Sequence, residues 1–222
     1  MVITCWSVKG GVGATTTAVA AALVAARGAP GPVLLVDLAG DVPASLGVAE
    51  PTGPGVAEWL TAGAQVPPDS LARLAVPAAE GVELLARGRG PLEADRAAVL
   101  LQVLAATRRT VVVDAGNVHH SAVALRFAAE SDRSLLVTRT CVVGLQRAAA
   151  APVRASGLVV LRDAGRACSA SEVGEVLGVP VAAELAVDPA VGRAVDAGLA
   201  RARLPRSFLE AVAALAPVAV GS

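Results

Sequence analysis

Tyrosine is absent from this 222-residue chain, and phenylalanine and tryptophan occur only twice each. The core must therefore be built from Val, Leu and Ala, within a composition that is 55% hydrophobic. A chain of this length suits one domain and buries roughly 70–75% of its unfolded surface. The bias to Ala, Gly, Arg and Pro is that of GC-rich codons, which bears on origin and not on mechanism. No charge sign is in excess, because 19 acidic and 19 basic residues cancel. That balance excludes a global field drawing the chain to nucleic acid and leaves only local patches. Cysteine is scarce as well. Cys5, Cys141 and Cys168 are far apart and show no C-x-x-C spacing, which excludes a disulfide framework or cysteine metal site. They read as small buried hydrophobes of a reducing compartment. Residues 1–8 are too short and uncharged for a secretory leader. The longest apolar run near the start, 18–26, falls well short of the ~20 residues that a bilayer span needs. A soluble, cytoplasmic protein without a transmembrane segment is expected.

Lysine is the most telling scarcity. Of the 19 Lys and Arg residues only Lys9 is lysine, and it sits in Lys9-Gly10-Gly11-Val12-Gly13-Ala14-Thr15-Thr16. An ammonium is a compact point charge that fits a phosphate oxygen where a planar guanidinium is too wide. A phosphate-binding loop reads G-x-x-x-x-G-K-[ST]. Here that frame places Gly13-Ala14-Thr15, so alanine stands where the loop lysine belongs.

Short Val/Leu-rich runs alternate with Ala-rich stretches. Runs 2–6, 33–36, 82–85, 110–113, 134–137, 158–161 and 179–185 predict strands. Several are apolar at every position, as strands buried on both faces of a parallel sheet are. Segments 15–27, 92–106, 121–129, 144–154, 170–177, 189–199 and 206–215 predict helices. The alternation predicts a single α/β doubly wound domain over 1–222 with a mostly parallel sheet. Residues 39–68 are rich in Gly and Pro, with one short helix expected at 56–62.

Strand, glycine loop, Thr-Thr, then helix is the context a phosphate loop requires. Backbone N–H groups from Gly10 to Ala14 are expected to converge on an anion, aided by the helix N-terminus. The Thr15 hydroxyl stands where a Mg²⁺ ligand is expected.

This segment, Val8 through Thr16, resembles the deviant loop of the ParA/MinD class of P-loop ATPases, in which a signature lysine precedes two glycines. Later segments agree in order. Val33-Leu34-Leu35-Val36-Asp37 resembles the second strand with its acidic end, and Val111-Val112-Val113-Asp114 the Walker B strand. Ser131 through Thr138 resembles the family's next strand, and the stretch from Gly178 through Asp188-Pro189 to Ala194 resembles its last strand and the loop near the base. The resemblance implies an ATP-sandwich homodimer in which Lys9 reaches the partner's phosphates. It implies nucleotide contacts from Lys9, Gly10, Gly11, Val12, Gly13, Ala14, Thr15 and Thr16. It also implies Mg²⁺ held through Thr15, Asp37 and Asp114, with Lys9 and Asp37 as the catalytic residues.

The departures matter equally. Ala14 replaces the loop lysine. The family's second strand usually ends Asp-x-Asp, the second carboxylate positioning the attacking water. Here Asp37-Leu38-Ala39 stands, with Asp41 two residues off register. The family's adenine-reading Asn is Arg162, which either replaces that contact or blocks the pocket. Ala186 stands for the family's base-side proline. Phosphoryl transfer depends on positioned positive charge and an oriented water. Removing one such group costs about 10²–10³ in rate. The two losses together predict very slow hydrolysis or none, and hence a pseudo-ATPase. Alanine within Lys-Gly-Gly-Val-Gly-Ala-Thr-Thr resembles the TadZ/CpaE-like localisation factors of pilus assembly and secretion. Many of those carry an N-terminal receiver-like domain, which is not expected here. The resemblance thus implies a dimeric spatial organiser with a protein partner in an assembly or partitioning system. The alternatives are an active ParA-type partitioning ATPase and a nucleotide-free scaffold.

Three other features carry candidate chemistry. His119 and His120 are adjacent, so on a helix they point about 100° apart. They are read as solvated residues at a helix start, with Asn117 as the cap. Arg193, Arg201, Arg203 and Arg206 form a candidate patch for non-specific DNA. The alternative for that patch is a solvated surface with ion pairs to Glu184, Asp188 and Asp196. The apolar tail 208–220 has no cation after Arg206, so it lacks the basic face of a membrane-binding helix and reads as core packing or a partner surface.

Overall fold

Runs that are apolar at every position become strands buried on both faces. In the computed structural model, which describes residues 1–63, 66–165 and 168–216, every residue of β1 (Val2–Ser7) and β2 (Val33–Asp37) is buried. The remaining strands are β3 (Val76–Ala79), β4 (Val82–Leu85), β5 (Val111–Asn117), β6 (Arg133–Arg139), β7 (Gly157–Arg162) and β8 (Val181–Ala186). They form one sheet in the order β3-β4-β2-β5-β1-β6-β7-β8, parallel except for β3 against β4. This is the expected doubly wound α/β architecture.

The edge strand β3 was not anticipated. Val76-Pro77-Ala78-Ala79 carries a proline, which removes a ladder donor and is tolerated only at an edge or bulge. A tight turn at Gly81, φ +68°, reverses the chain into β4.

Helices cover both faces. Beneath one lie α1 (Ala14–Ala26), α2 (Val42–Leu46), α8 (Pro189–Asp196), α9 (Ala200–Arg203) and α10 (Arg206–Val212). Against the other pack α3 (Val56–Thr61), α4 (Ala97–Ala106), α5 (Ala122–Glu130), α6 (Val142–Ala149) and α7 (Ala170–Leu177). Adjacent residues of β1 serve opposite cores: Ile3 and Cys5 join the α1 side, Val2 and Trp6 the α5 side. Trp6 is fully buried, and its indole N–H donates to Ser134 Oγ at 2.8 Å. This satisfies the one polar atom that so large a core residue brings.

Several boundaries differ from expectation. α4 begins at Ala97, not 92, and α6 runs over Val142–Ala149, ahead of Pro152, which lies inside the expected span. Helix α2 lies within the stretch 39–68 read as irregular, and the 3-10 segment Pro68–Leu74 begins where that stretch ends. The tail packs as α10 and a 3-10 turn at Ala213–Leu215, with Phe208, Val212 and Leu215 in the core; residues 217–220 lie outside the described residues. No helix among the described residues is long and apolar enough to cross a membrane.

Candidate functional site

Strand β1 ends in a glycine loop that must turn sharply to start α1. Gly11 and Gly13 take φ of +71° and +92°, and a Cβ built on Gly13 would lie 2.9 Å from Leu161 Cδ2. Only glycine meets both conditions at Gly13. Built Cβ atoms on Gly10 and Gly11 meet no protein atom within 4 Å, so the loop faces open space. That space is a cleft of about 1280 Å³ whose lining includes every residue from Gly10 to Thr16. Among the described residues, no backbone N–H from Lys9 to Thr16 donates to a protein acceptor; the first to do so is Thr17, to Gly13 O at 2.9 Å. A concave set of free N–H groups at a helix N-terminus is an anion site.

Two carboxylates lie beside it. Asp37, at the end of β2, and Asp114, midway along β5, are register partners, and both are fully buried. They are held differently. Asp37 accepts N–H bonds from Ala39 at 2.9 Å, Gly40 at 2.6 Å and Val42 at 3.2 Å, so it ties down its own loop. Burial pushes its carboxyl up to about 6 against those three donors, with Asp41 adding to the rise. Among the described residues Asp114 accepts from Gly116 N–H, at 3.1 Å through Oδ1, while its buried Oδ2 has no hydrogen-bond partner. Burial pushes its carboxyl up to about 7, and the Asp37 charge adds to this. The Thr15 hydroxyl, which lines the cleft, lowers it without closing a full hydrogen bond to Oδ2. A buried carboxylate oxygen without a donor suits a cation or the water of a cation's shell. The open N–H groups, the Thr15 hydroxyl and Asp114 Oδ2 together fit a phosphate chain carrying Mg²⁺. Asp37 sits in that cluster chiefly as the brace of the β2–α2 loop.

Both alanine departures face this cleft. Ala14 lines it from the first turn of α1, and Ala39 from the loop after β2. A Cβ on Gly116 would come within 2.9 Å of the Ala39 methyl, so that methyl packs against the end of β5. Asp41 is in the cleft as an exposed side chain.

The other expected residues fall as follows. Lys9 is half-buried, makes no ion pair or hydrogen bond among the described residues, and is not part of its own chain's cleft lining. Arg162 is exposed, does not line the cleft and pairs with Glu184 on β8. Asn117 accepts from His119 N–H at 3.0 Å and caps the 3-10 turn Val118–His120, while Ser121 caps α5. Both histidines are exposed, His120 at the cleft, and no metal-binding group of three occurs among the described residues. The ion pairs expected for the arginine cluster are replaced. Arg206 pairs with Glu210 at 2.7 Å and Asp188 caps α8, while Arg193, Arg201 and Arg203 form no ion pair among the described residues. Cys5 is buried, whereas Cys141 and Cys168 are half-exposed; all are free thiols.

Two arginines in the cleft lining escape the sequence pattern. Arg139 ends β6, beside Leu161 on β7, and pairs with Asp163 at 3.3 Å. Arg87 follows β4, with one guanidinium nitrogen donating to the carbonyls of Gly88 at 3.3 Å and Gly90 at 3.1 Å. Neither belongs to a local motif.

No family model matches the chain, and no curated protein matches its sequence. Solved structures match its fold throughout. The cell division ATPase MinD of Pyrococcus furiosus aligns at TM-score 0.77 and 21% identity, over 96% of this chain and 95% of that one. A ParA family ATPase from Chlorobium tepidum aligns at 0.74 and 19%, over 96% and 97%. The septum site-determining protein MinD of Pyrococcus horikoshii, complexed with Mg-ADP, aligns at 0.73 and 18%, over 97% and 94%. The fold is that of the ParA- and MinD-type P-loop proteins.

Proposed function

We propose that this chain binds a nucleoside triphosphate with Mg²⁺ at the glycine loop and works as a dimeric spatial organiser with little or no hydrolysis. The observation that carries the reading is that, among the described residues, the donors from Lys9 to Thr16 are unsatisfied and open on a large cleft beside Asp114 Oδ2, itself without a hydrogen-bond partner. ATP is the favoured ligand by likeness to the MinD and ParA ATPases.

The chain's own residues divide the work. Loop N–H groups bind the phosphates, and Thr15 with Asp114 holds the cation side. Bound Mg²⁺ would supply charge neutralisation between the terminal phosphates. Hydrolysis needs more: a fixed cation on the transferring phosphoryl group and a group that orients water. Ala14 and Ala39 provide neither. The nucleotide therefore acts as a ligand that favours one assembly state.

Lys9 supports the dimer part of the proposal. A cation placed at the loop yet outside its own cleft lining, with no acceptor of its own, suits the phosphates of a second copy. The partner of that dimer belongs to an assembly or partitioning system, by the TadZ/CpaE-like alanine in the loop. Light scattering of the purified chain tests the assembly. With Mg²⁺ and ATP the mass doubles, and Lys9→Ala stays monomeric while still binding nucleotide. Rapid ATP turnover by the wild type would point instead to an active partitioning ATPase. A dimer indifferent to both ATP and Lys9→Ala would point to a nucleotide-free scaffold.

A further inference from the structure

We infer that Arg87 is the in-chain cation for the terminal phosphate, compensating for the lysine that Ala14 has displaced. This rests on the nucleotide-binding reading above. Three observations carry it.

The first is charge. Among the described residues the cleft lining holds two arginines, Arg87 and Arg139. Arg139 is neutralised by Asp163. Arg87 forms no ion pair among the described residues, and Asp41 in the same cleft is not within pairing distance. A half-buried guanidinium without an ion-pair partner is a ready anion attractor.

The second is position. A Cβ on Gly40 would lie 3.4 Å from Arg87 Cδ, and the Gly40 N–H itself binds the Asp37 carboxylate. Arg87 therefore packs on the loop that flanks the Asp37–Asp114 pair. Thr15 and Asp114 would hold Mg²⁺ on this side of the glycine loop, where it would neutralise phosphate charge beside the Arg87 loop. Arg139 lies on the opposite side, between β1 and β7.

The third is preorganisation. Arg87 stands in a loop clamped by α3. Glu58 accepts N–H bonds from Gly55 at 2.7 Å, Arg89 at 2.9 Å and Gly90 at 3.3 Å. The N–H groups of Val56 and Ala57 donate to Ala86 O at 2.9 Å and Arg87 O at 2.8 Å. A Cβ on Gly88 would meet Glu58 Oε2 at 2.0 Å, and one on Gly55 would meet Ala86 O at 2.5 Å, so the clamp is closed by two glycines. One guanidinium nitrogen is pinned by two carbonyls, and the other two have no protein acceptor among the described residues. A fixed fork of free donors costs little to order when an anion arrives.

The test compares ATP with ADP, each with Mg²⁺, on wild type, Arg87→Gln and Arg87→Lys by calorimetric titration. A charge-assisted hydrogen bond to the terminal phosphate predicts that wild type prefers ATP about tenfold or more. Arg87→Gln removes that preference and leaves ADP affinity within about twofold, since the contact is absent in ADP. Arg87→Lys keeps part of the preference because the charge remains. An Arg87→Gln protein that melts like wild type and keeps its ATP-to-ADP ratio overturns the inference and leaves nucleotide binding intact. Wild type that binds neither nucleotide overturns both readings together.

Discussion

The sharpest expectations sit on single residues. Asp114 keeps a buried carboxylate oxygen without a donor, and its carboxyl is raised from 3.8 to about 7. Its folded-state pKa exceeds its unfolded value, so between those two values the folded state binds more protons than the unfolded chain. Stability of the nucleotide-free protein therefore falls as pH rises through that window and levels off above it. Asp37, raised to about 6, adds to the same slope. Asp114→Asn should flatten the slope and raise the melting temperature at neutral pH, measured by thermal melts across the window. The same change should remove the Mg²⁺ dependence of nucleotide affinity, because the orphan oxygen is what a cation's shell would satisfy. Gly13→Ala should behave in the opposite way. A φ of +92° and the approach to Leu161 predict a loss of about 1–2 kcal/mol or more in denaturant titrations. Leu161→Ala should relieve the crowding but not the backbone strain.

At the scale of elements, the clamp between α3 and the 86–90 loop is the most specific prediction. Glu58→Ala strips one carboxylate from three N–H groups and should cost about 1–3 kcal/mol. Hydrogen exchange should accelerate at Gly55, Arg89 and Gly90 and leave β1 protected. Elements of this kind also mark where the sequence was readable. The central strands were legible because burial on both faces leaves uninterrupted Val and Leu runs. The glycine loop was legible because its chemistry is contiguous in the chain, and Asp114 because it ends such a run. Strand β3 was not, since Pro77 and an exposed edge hide the pattern. Helix α2 follows a Gly-Asp pair and contains Pro43, so its local signals are those of a turn. Arg87 and Arg139 could not be singled out among many arginines, because only strand order brings them to one cleft. The pairing of Arg162 with Glu184 on β8 was hidden for the related reason that strand order, not sequence, makes them neighbours.

For the whole molecule, the two alanines change what the fold can do more than how it is built. Both sit in a site whose other parts are formed: the glycine loop, the Asp37–Asp114 register pair, and the cleft that the loop lines. Such a molecule is expected to bind and to assemble, with the nucleotide bound and retained, not turned over. Restoring one lost group tests this division. Ala14→Lys should tighten ATP binding by about tenfold or more through a new charged contact. It should leave turnover low while Ala39 remains, as radiolabelled phosphate release would show. The most direct test of the central claim is calorimetric titration of the purified chain with ATP and Mg²⁺. The account predicts saturable binding of one nucleotide per chain at micromolar concentration. Absence of binding up to millimolar ATP would contradict it and leave a fold that has kept its phosphate loop but not its ligand.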